Sequence, residues 1–248
     1  MKDKVCFITG ASRGIGKGIA LAFAKEGAKV VIGYHLNEVA AKKTSKEIDK
    51  FQYENITIRF DVVNRKSIKN AVRETLNKFG RIDVLVNNAG INIPKTFYEI
   101  TDEEWDLIMS INLKGAFICS QEIMPIMERQ NSGRIINISS VSGQYGGPKT
   151  VHYAVSKAGL ISLTQCLARY GAPHNILINA IAPGIIETDL TREELKTDSG
   201  QKTIEMMLLK KPGQINDITS VAILLASDEQ NFITGQTISV NGGSYFAK

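Results

Sequence analysis

Short apolar runs alternate with longer stretches of helical periodicity from one end of this chain to the other. Val5–Thr9 is such a run and ends at Gly10, after which Ile15–Lys25 repeats its apolar residues at helical spacing. Lys29–Gly33 is a second run, followed by a polar-faced helix over Glu38–Phe51. Ile56, Ile58 and Phe60 alternate with polar residues, as an edge strand does, and Ser67–Phe79 is helical. Ile82–Val86 is a fourth apolar run and leads into Asn87-Asn88-Ala89-Gly90. A long helix is expected over Thr101–Arg129, opened by a capping box in Thr101-Asp102-Glu103-Glu104. Arg134–Ile138, Leu177–Ile181 and Thr237–Val240 read as further strands, with helices over Val151–Tyr170 and Ile215–Ser227.

Strands that are apolar without alternation must be covered on both faces, and their regular exchange with helices predicts a mostly parallel sheet. The expected fold is therefore α/β: a single-domain, Rossmann-like, doubly wound parallel sheet of seven strands with helices on both faces, spanning 1–248. No linker, repeat or composition shift divides it. The charged segment Thr191–Lys210 lacks an apolar stripe at its start, and a substrate-covering lobe is expected near 188–212. Met206, Met207, Leu208 and Leu209 within it read either as an acyl-binding wall or as the packed face of a helix.

Composition adds limits. The chain has 248 residues, 43% hydrophobic and 22% charged, the balance of an ordinary globular domain. A formal charge of +5 comes without any basic run interleaved with aromatics, so a nucleic-acid partner is not expected. Cys6, Cys119 and Cys166 are odd in number and lack metal-ligand spacing, which predicts buried free thiols, a reducing compartment and no metal site. The first strand begins at once, so no signal peptide is expected, and no apolar stretch approaches the ~20 residues of a membrane span. A cytoplasmic protein without membrane contact is expected.

Two constellations carry chemistry. In Thr9-Gly10-Ala11-Ser12-Arg13-Gly14-Ile15-Gly16 the glycines let the backbone turn tightly and approach a pyrophosphate at the N-terminus of the first helix. In Tyr153-Ala-Val-Ser-Lys157 a phenol and an ammonium share one helix face, and Ser140 stands upstream in Asn-Ile-Ser-Ser-Val-Ser-Gly. A tyrosine titrates near ~10 and becomes useful at neutral pH when a positive charge favours its phenolate.

These motifs, with Asp61-Val62, Asn87-Asn88-Ala89-Gly90, Asn112, Pro183-Gly184, Ile186-Glu187-Thr188, Ile233-Thr234-Gly235 and Val240-Asn241-Gly242-Gly243, resemble a single-domain short-chain dehydrogenase/reductase over essentially the whole chain. Among subfamilies the sequence is most similar to the 3-oxoacyl-acyl-carrier-protein reductases. The resemblance implies reduction of a carbonyl to an alcohol, with a sugar, polyol or other small-alcohol dehydrogenase as the alternative and a non-catalytic binding member as a third. It implies Tyr153 as general acid, Lys157 as the residue that lowers its pKa and binds the nicotinamide ribose, Ser140 rather than Ser139 as the carbonyl-orienting hydroxyl, and Asn112 as holder of a water. It places the cofactor along Gly10, Ser12, Arg13, Gly14, Ile15 and Gly16. Tyr34 and His35 follow at the second strand, Asp61 and Val62 at the adenine, and Asn88, Ala89 and Gly90 along the trough. Pro183 and Gly184 are further cofactor-binding positions that the resemblance implies, and Ile186 and Thr188 would close over the nicotinamide.

No acid follows the second strand in Val31-Ile32-Gly33-Tyr34-His35, where one would bind the ribose hydroxyls of NAD, and Arg13 can grip a 2′-phosphate. NADP(H) is the expected cofactor. Related carrier-protein reductases place carrier-facing arginines at positions held here by Asn131 and His174, with Arg129 close by. A homotetramer is expected through the helices over Thr101–Arg129 and Val151–Tyr170. Ala116, Phe117, Ile118 and Cys119 in one, and Leu160, Leu163 and Leu167 in the other, are the apolar residues in excess. Trp105 reads as a core or interface anchor.

Overall fold

The computed structural model describes residues 1–147, 150–188 and 191–246, and the side chains of Glu194 and Ser199 lie outside the description. Seven strands form one parallel sheet: β1 (Val5–Ile8), β2 (Lys29–Tyr34), β3 (Asn55–Arg59), β4 (Val84–Asn87), β5 (Gly133–Ile138), β6 (Ile176–Pro183) and β7 (Thr237–Val240). Their order is β3-β2-β1-β4-β5-β6-β7, so the direction of winding reverses between β1 and β4. Register is set by pairs such as Phe7 with Val31, Phe7 with Leu85 and Ile135 with Ile178.

Each central strand feeds two cores, because successive side chains leave opposite faces. Ile8, Ile32 and Val86 point to one face and pack with Ile19 and Phe23 of α1 (Gly14–Lys25) and Ile218 and Leu225 of α10 (Ile215–Ala226). Phe7, Val31 and Leu85 point to the other, against Ile68 and Val72 of α3 (Arg65–Phe79) and Ile123 and Met127 of α5 (Gly115–Gln130). Burial on both faces is why these runs lack alternation. β3 is at the edge, and its Asn55 is fixed by Ser45 and Asp49 of α2 (Glu38–Asp49) at 2.6 and 2.8 Å.

The helix expected over Thr101–Arg129 is three pieces: α4 (Asp102–Met109), a π-helical turn over Ser110–Lys114, and α5. The capping box forms as expected, with Thr101 Oγ1 accepting from Glu104 N and Glu104 Oε2 accepting from Thr101 N. The π turn lodges an extra residue in the helix at Asn112, a device common at functional sites. Two further elements lead to the site: the short α6 (Ser142–Tyr145), which periodicity did not reveal, and α7 (Val151–Gly171).

The lobe consists of α8 (Arg192–Leu195) and α9 (Asp198–Met206). Within the apolar run Met206-Met207-Leu208-Leu209 that follows, Met207 is buried while Met206, Leu208 and Leu209 are exposed. Met207 is held because the chain turns back on Gly242, and a Cβ there would meet its Cε at 2.7 Å. The expectation of three buried thiols needs correction: Cys6 and Cys119 are buried, but Cys166 lies on the outer face of α7. Among the described residues no helix is long and apolar enough to cross a membrane, and no cluster of metal-ligating side chains occurs.

Candidate active site

The glycine turn, Asn87-Asn88-Ala89-Gly90, Ser140 and Pro183-Gly184 lie at the carboxyl ends of β1, β4, β5 and β6, beside the reversal between β1 and β4, whereas Ile233-Thr234-Gly235 precedes β7 and bonds near the start of β6. Open parallel sheets leave a crevice at such a point. Gly10 and Gly14 adopt left-handed φ of +65° and +56°, which turns the chain from β1 into α1. A Cβ on Gly14 would meet nothing within 4 Å, whereas one on Gly16 would lie 2.4 Å from the Gly10 carbonyl oxygen and from Asn88 Nδ2. Gly16 is needed for close packing, and Gly14 for open backbone facing the crevice. Arg13 at the helix start provides no side-chain cap, and the first turn carries no acid. Its amides and the helix dipole are therefore available to an anion, so these residues fit a dinucleotide pyrophosphate.

Asn88, expected along the trough, also ties two turns together. Its Nδ2 donates to the carbonyls of Thr9 and Gly10 at 3.0 Å, tying the turn after β4 to the glycine turn. Thr9 Oγ1 completes the clasp by accepting from the amides of Asn88 and Ala89 at 3.0 and 2.9 Å. Tyr34 is buried at the end of β2, and His35 is exposed with its Nε2 at 3.9 Å from Asp61 Oδ2. Val62 packs on the start of α5, where a Cβ on Gly115 would lie 2.9 Å from its Cγ2. Ile186 and Thr188 are buried, with Thr191 Oγ1 donating to the Ile186 carbonyl and accepting from Thr188 N. Gly184, next to Pro183 at the end of β6, fits because a Cβ there would approach Asn241 Cα to 2.8 Å.

Around the reacting groups, the structure separates two neighbouring serines. Ser139 Oγ donates to the Lys157 carbonyl at 2.8 Å and so secures α7 to the end of β5. Ser140 Oγ accepts from Ser142 N at 3.1 Å and is hydrogen-bonded to the Tyr153 hydroxyl. Lys157 is buried, its Nζ donating to the Ile138 carbonyl at 2.8 Å and lying 5.6 Å from the centre of the Tyr153 ring. Burial pulls the ammonium pKa down to about 8. Tyr153 shifts the other way: burial pushes its phenol above the ordinary value, and the Ser140 hydrogen bond only partly offsets this. Lys157 is not among the causes of this shift, so the lowering expected of it does not act on the phenol in this chain alone.

Asn112 sits in the π turn with both amide hydrogens and its amide oxygen hydrogen-bonded. Its Oδ1 accepts from Ile91 N at 2.8 Å, and its Nδ2 donates to the Ile91 carbonyl at 2.9 Å and to Ser156 Oγ at 3.1 Å. It therefore locks the strand-end loop to α7, and a Cβ on the intervening Gly90 would come within 3.2 Å of its Oδ1 and 3.4 Å of Lys157 Nζ.

Comparison with known proteins matches residues 10–245 to the family described as Enoyl-(Acyl carrier protein) reductase. The 3-oxoacyl-[acyl-carrier-protein] reductase FabG of Staphylococcus epidermidis is 42% identical over 98% of this chain and 99% of its own length. That of Thermotoga maritima is 40% identical over 98% of both chains. The chain belongs to the short-chain dehydrogenase/reductase family. It is an oxidoreductase acting between CH–OH and carbonyl groups, and the family implies a nicotinamide cofactor. Among solved structures, a Sinorhizobium meliloti 1021 protein provisionally named a short-chain alcohol dehydrogenase matches with a TM-score of 0.94 at 36% identity, covering 98% of this chain and 97% of that one.

Sequence reasoning missed one part of this dehydrogenase/reductase site. Beneath Ser140, Asn87 Nδ2 donates to Ser120 Oγ at 3.1 Å and Asn137 Oδ1 at 2.8 Å, and Asn137 Nδ2 donates to Thr164 Oγ1 at 2.9 Å. This buried relay joins β4, β5, α5 and α7 directly under the reacting groups. A signal was present: asparagine inside two otherwise apolar strands, Val-Leu-Val-Asn and Ile-Ile-Asn-Ile, has to find polar partners.

Proposed function

We propose that this protein reduces the ketone of 3-oxoacyl groups carried on an acyl carrier protein, with NADPH as reductant, and that it works as a homotetramer. The observation that carries the reading is near-full-length identity of about 40% to proteins named 3-oxoacyl-[acyl-carrier-protein] reductase from several bacteria. The meeting of Ser140, Tyr153 and Lys157 at one crevice supports it.

When bound, the nicotinamide supplies hydride to the carbonyl carbon. Tyr153 donates its proton to the carbonyl oxygen, and its raised pKa keeps that proton in place at neutral pH until charge develops on the substrate. Ser140 holds the same oxygen by its hydroxyl, a donor aimed where negative charge appears. Lys157 keeps positive charge beneath the phenol and stabilises the phenolate left behind. The 2′-phosphate that marks NADP(H) would meet Arg13, which is exposed and whose guanidinium has no ion pair or hydrogen bond to the other described residues. The tetramer reading rests on Leu107, Phe117 and Val155, apolar and exposed on α4, α5 and α7.

The test follows NADPH absorbance with 3-oxoacyl thioesters on carrier protein and on small thiols, alongside sugars and small ketones. The reading expects turnover on the thioesters, and a loss of about 10²–10⁴-fold in Tyr153→Phe with folding intact. Turnover confined to sugars or small alcohols would establish the dehydrogenase alternative instead. Near-full activity of folded Tyr153→Phe would overturn the mechanism.

A further inference from the structure

We infer that Arg59, on the edge strand, is a second guanidinium for the 2′-phosphate of the cofactor and so helps select NADP(H) over NAD(H). This rests on the NADP(H) reading above. Arg59 is the last residue of β3 and stands opposite Tyr34 in the parallel register. Its neighbours Ile58 and Phe60 are buried on one face of the sheet, which sends Arg59 out to the opposite, α2 face. There its Nε donates to the His35 carbonyl at 3.1 Å. That carbonyl belongs to the loop after β2, where an acid would otherwise hold the ribose hydroxyls of NAD. The anchored Nε fixes the guanidinium plane at this loop, while both Nη groups have no hydrogen-bond partner among the described residues.

The surrounding charges leave room for an anion. Glu38 at the start of α2 is held by Lys42 at 2.7 Å, and Arg59 is the smallest contributor to its lowered pKa. Asp61 accepts from Val63 N at 3.1 Å and lies 3.9 Å from His35. No carboxylate among the described residues is within ion-pair distance of Arg59 or Arg13. α2 packs beside α1, with Thr44 donating to the Ser12 carbonyl at 3.2 Å and Lys17 meeting Glu47 at 2.9 Å. The glycine turn that carries Arg13 and the β2 end that anchors Arg59 therefore share one corner of the crevice. Two guanidiniums there can offer paired N–H groups to one phosphate from two sides, a geometry that lysine cannot reproduce.

The experiment titrates the full chain with adenosine 2′,5′-bisphosphate and with 5′-AMP by calorimetry, so that no turnover is needed. Wild type is expected to bind the bisphosphate more tightly than AMP. Arg59→Gln should raise the bisphosphate dissociation constant about tenfold, as expected for a charge-assisted hydrogen bond, and leave that for AMP within about twofold. Arg59→Lys should restore only part of the loss. If wild type discriminates and Arg59→Gln discriminates equally well, the role of Arg59 is refuted while the NADP(H) reading stands. If wild type does not discriminate, both fall together. Retained AMP binding shows that each variant is folded.

Discussion

At the scale of single residues, the site stores a cost that the fold must offset. Lys157 is buried with a backbone carbonyl as its partner, and its pKa falls from 10.5 to about 8. The folded chain therefore binds this proton more weakly than the unfolded chain does. Between about pH 8 and the ordinary lysine value the unfolded state holds more protons, so this group makes stability rise with pH across that window. Below pH 8 the full penalty is present, on the order of 3 kcal/mol. Lys157→Met should thus be more stable than wild type at pH 7 by denaturant unfolding, and the gap should close towards pH 10. Equal stability at pH 7 would show that the buried ammonium carries no such penalty. The sequence made Ser140, Tyr153 and Lys157 legible, because their spacing alone puts two of them on one helix face. It left the division of labour between Ser139 and Ser140 to a resemblance, since only the end of β5 decides which hydroxyl meets a carbonyl and which meets a phenol.

Elements position these groups, and glycine is where two elements come too close for a side chain. Gly16→Ala would force a Cβ to within 2.4 Å of the Gly10 carbonyl, and a loss of stability on the order of 1–3 kcal/mol is expected together with weaker cofactor binding. Gly14→Ala meets open space and carries only the left-handed backbone cost of about 1–2 kcal/mol. Thermal unfolding and calorimetric titration of both variants check the contrast; a Gly16→Ala protein as stable as wild type would refute the close packing. Strand and helix positions were readable to within a few residues, since burial on two faces writes continuous apolar runs. The π turn at Asn112 was not. An inserted residue turns the helical phase by about 100°, but apolar residues from Leu107 to Cys119 crowd several faces, so the sequence showed an unbroken helix.

For the whole molecule, the apolar residues that motivated an association surface divide once the chain is folded. Ala116, Ile118, Cys119 and Leu160 are buried within the chain, Leu163 and Leu167 are half-buried, and Phe117 is exposed. Trp105, Leu107 and Val155 join Phe117 on the outer faces of α4, α5 and α7. The proposed tetramer predicts a mass near four chains by light scattering at micromolar concentration and its loss on Phe117→Asp. A monomeric mass for wild type would end that proposal.

The sequence by itself determined the sheet, its two-sided burial, the glycine turn and the Tyr153–Lys157 pair, because each is written in a continuous apolar run or a short local spacing. Tertiary structure alone decided what those residues touch. Asn88 became a clasp between two turns, Asn112 a lock on Ile91 and Ser156, and Asn87 and Asn137 a buried relay. Arg59, on the edge strand, was brought to the carbonyl of His35, 24 positions earlier in the chain. The physical reason is common to all of them. A hydrogen-bonding side chain carries its chemistry in its own atoms, but its partner is chosen by strand order, and strand order is a property of the folded sheet.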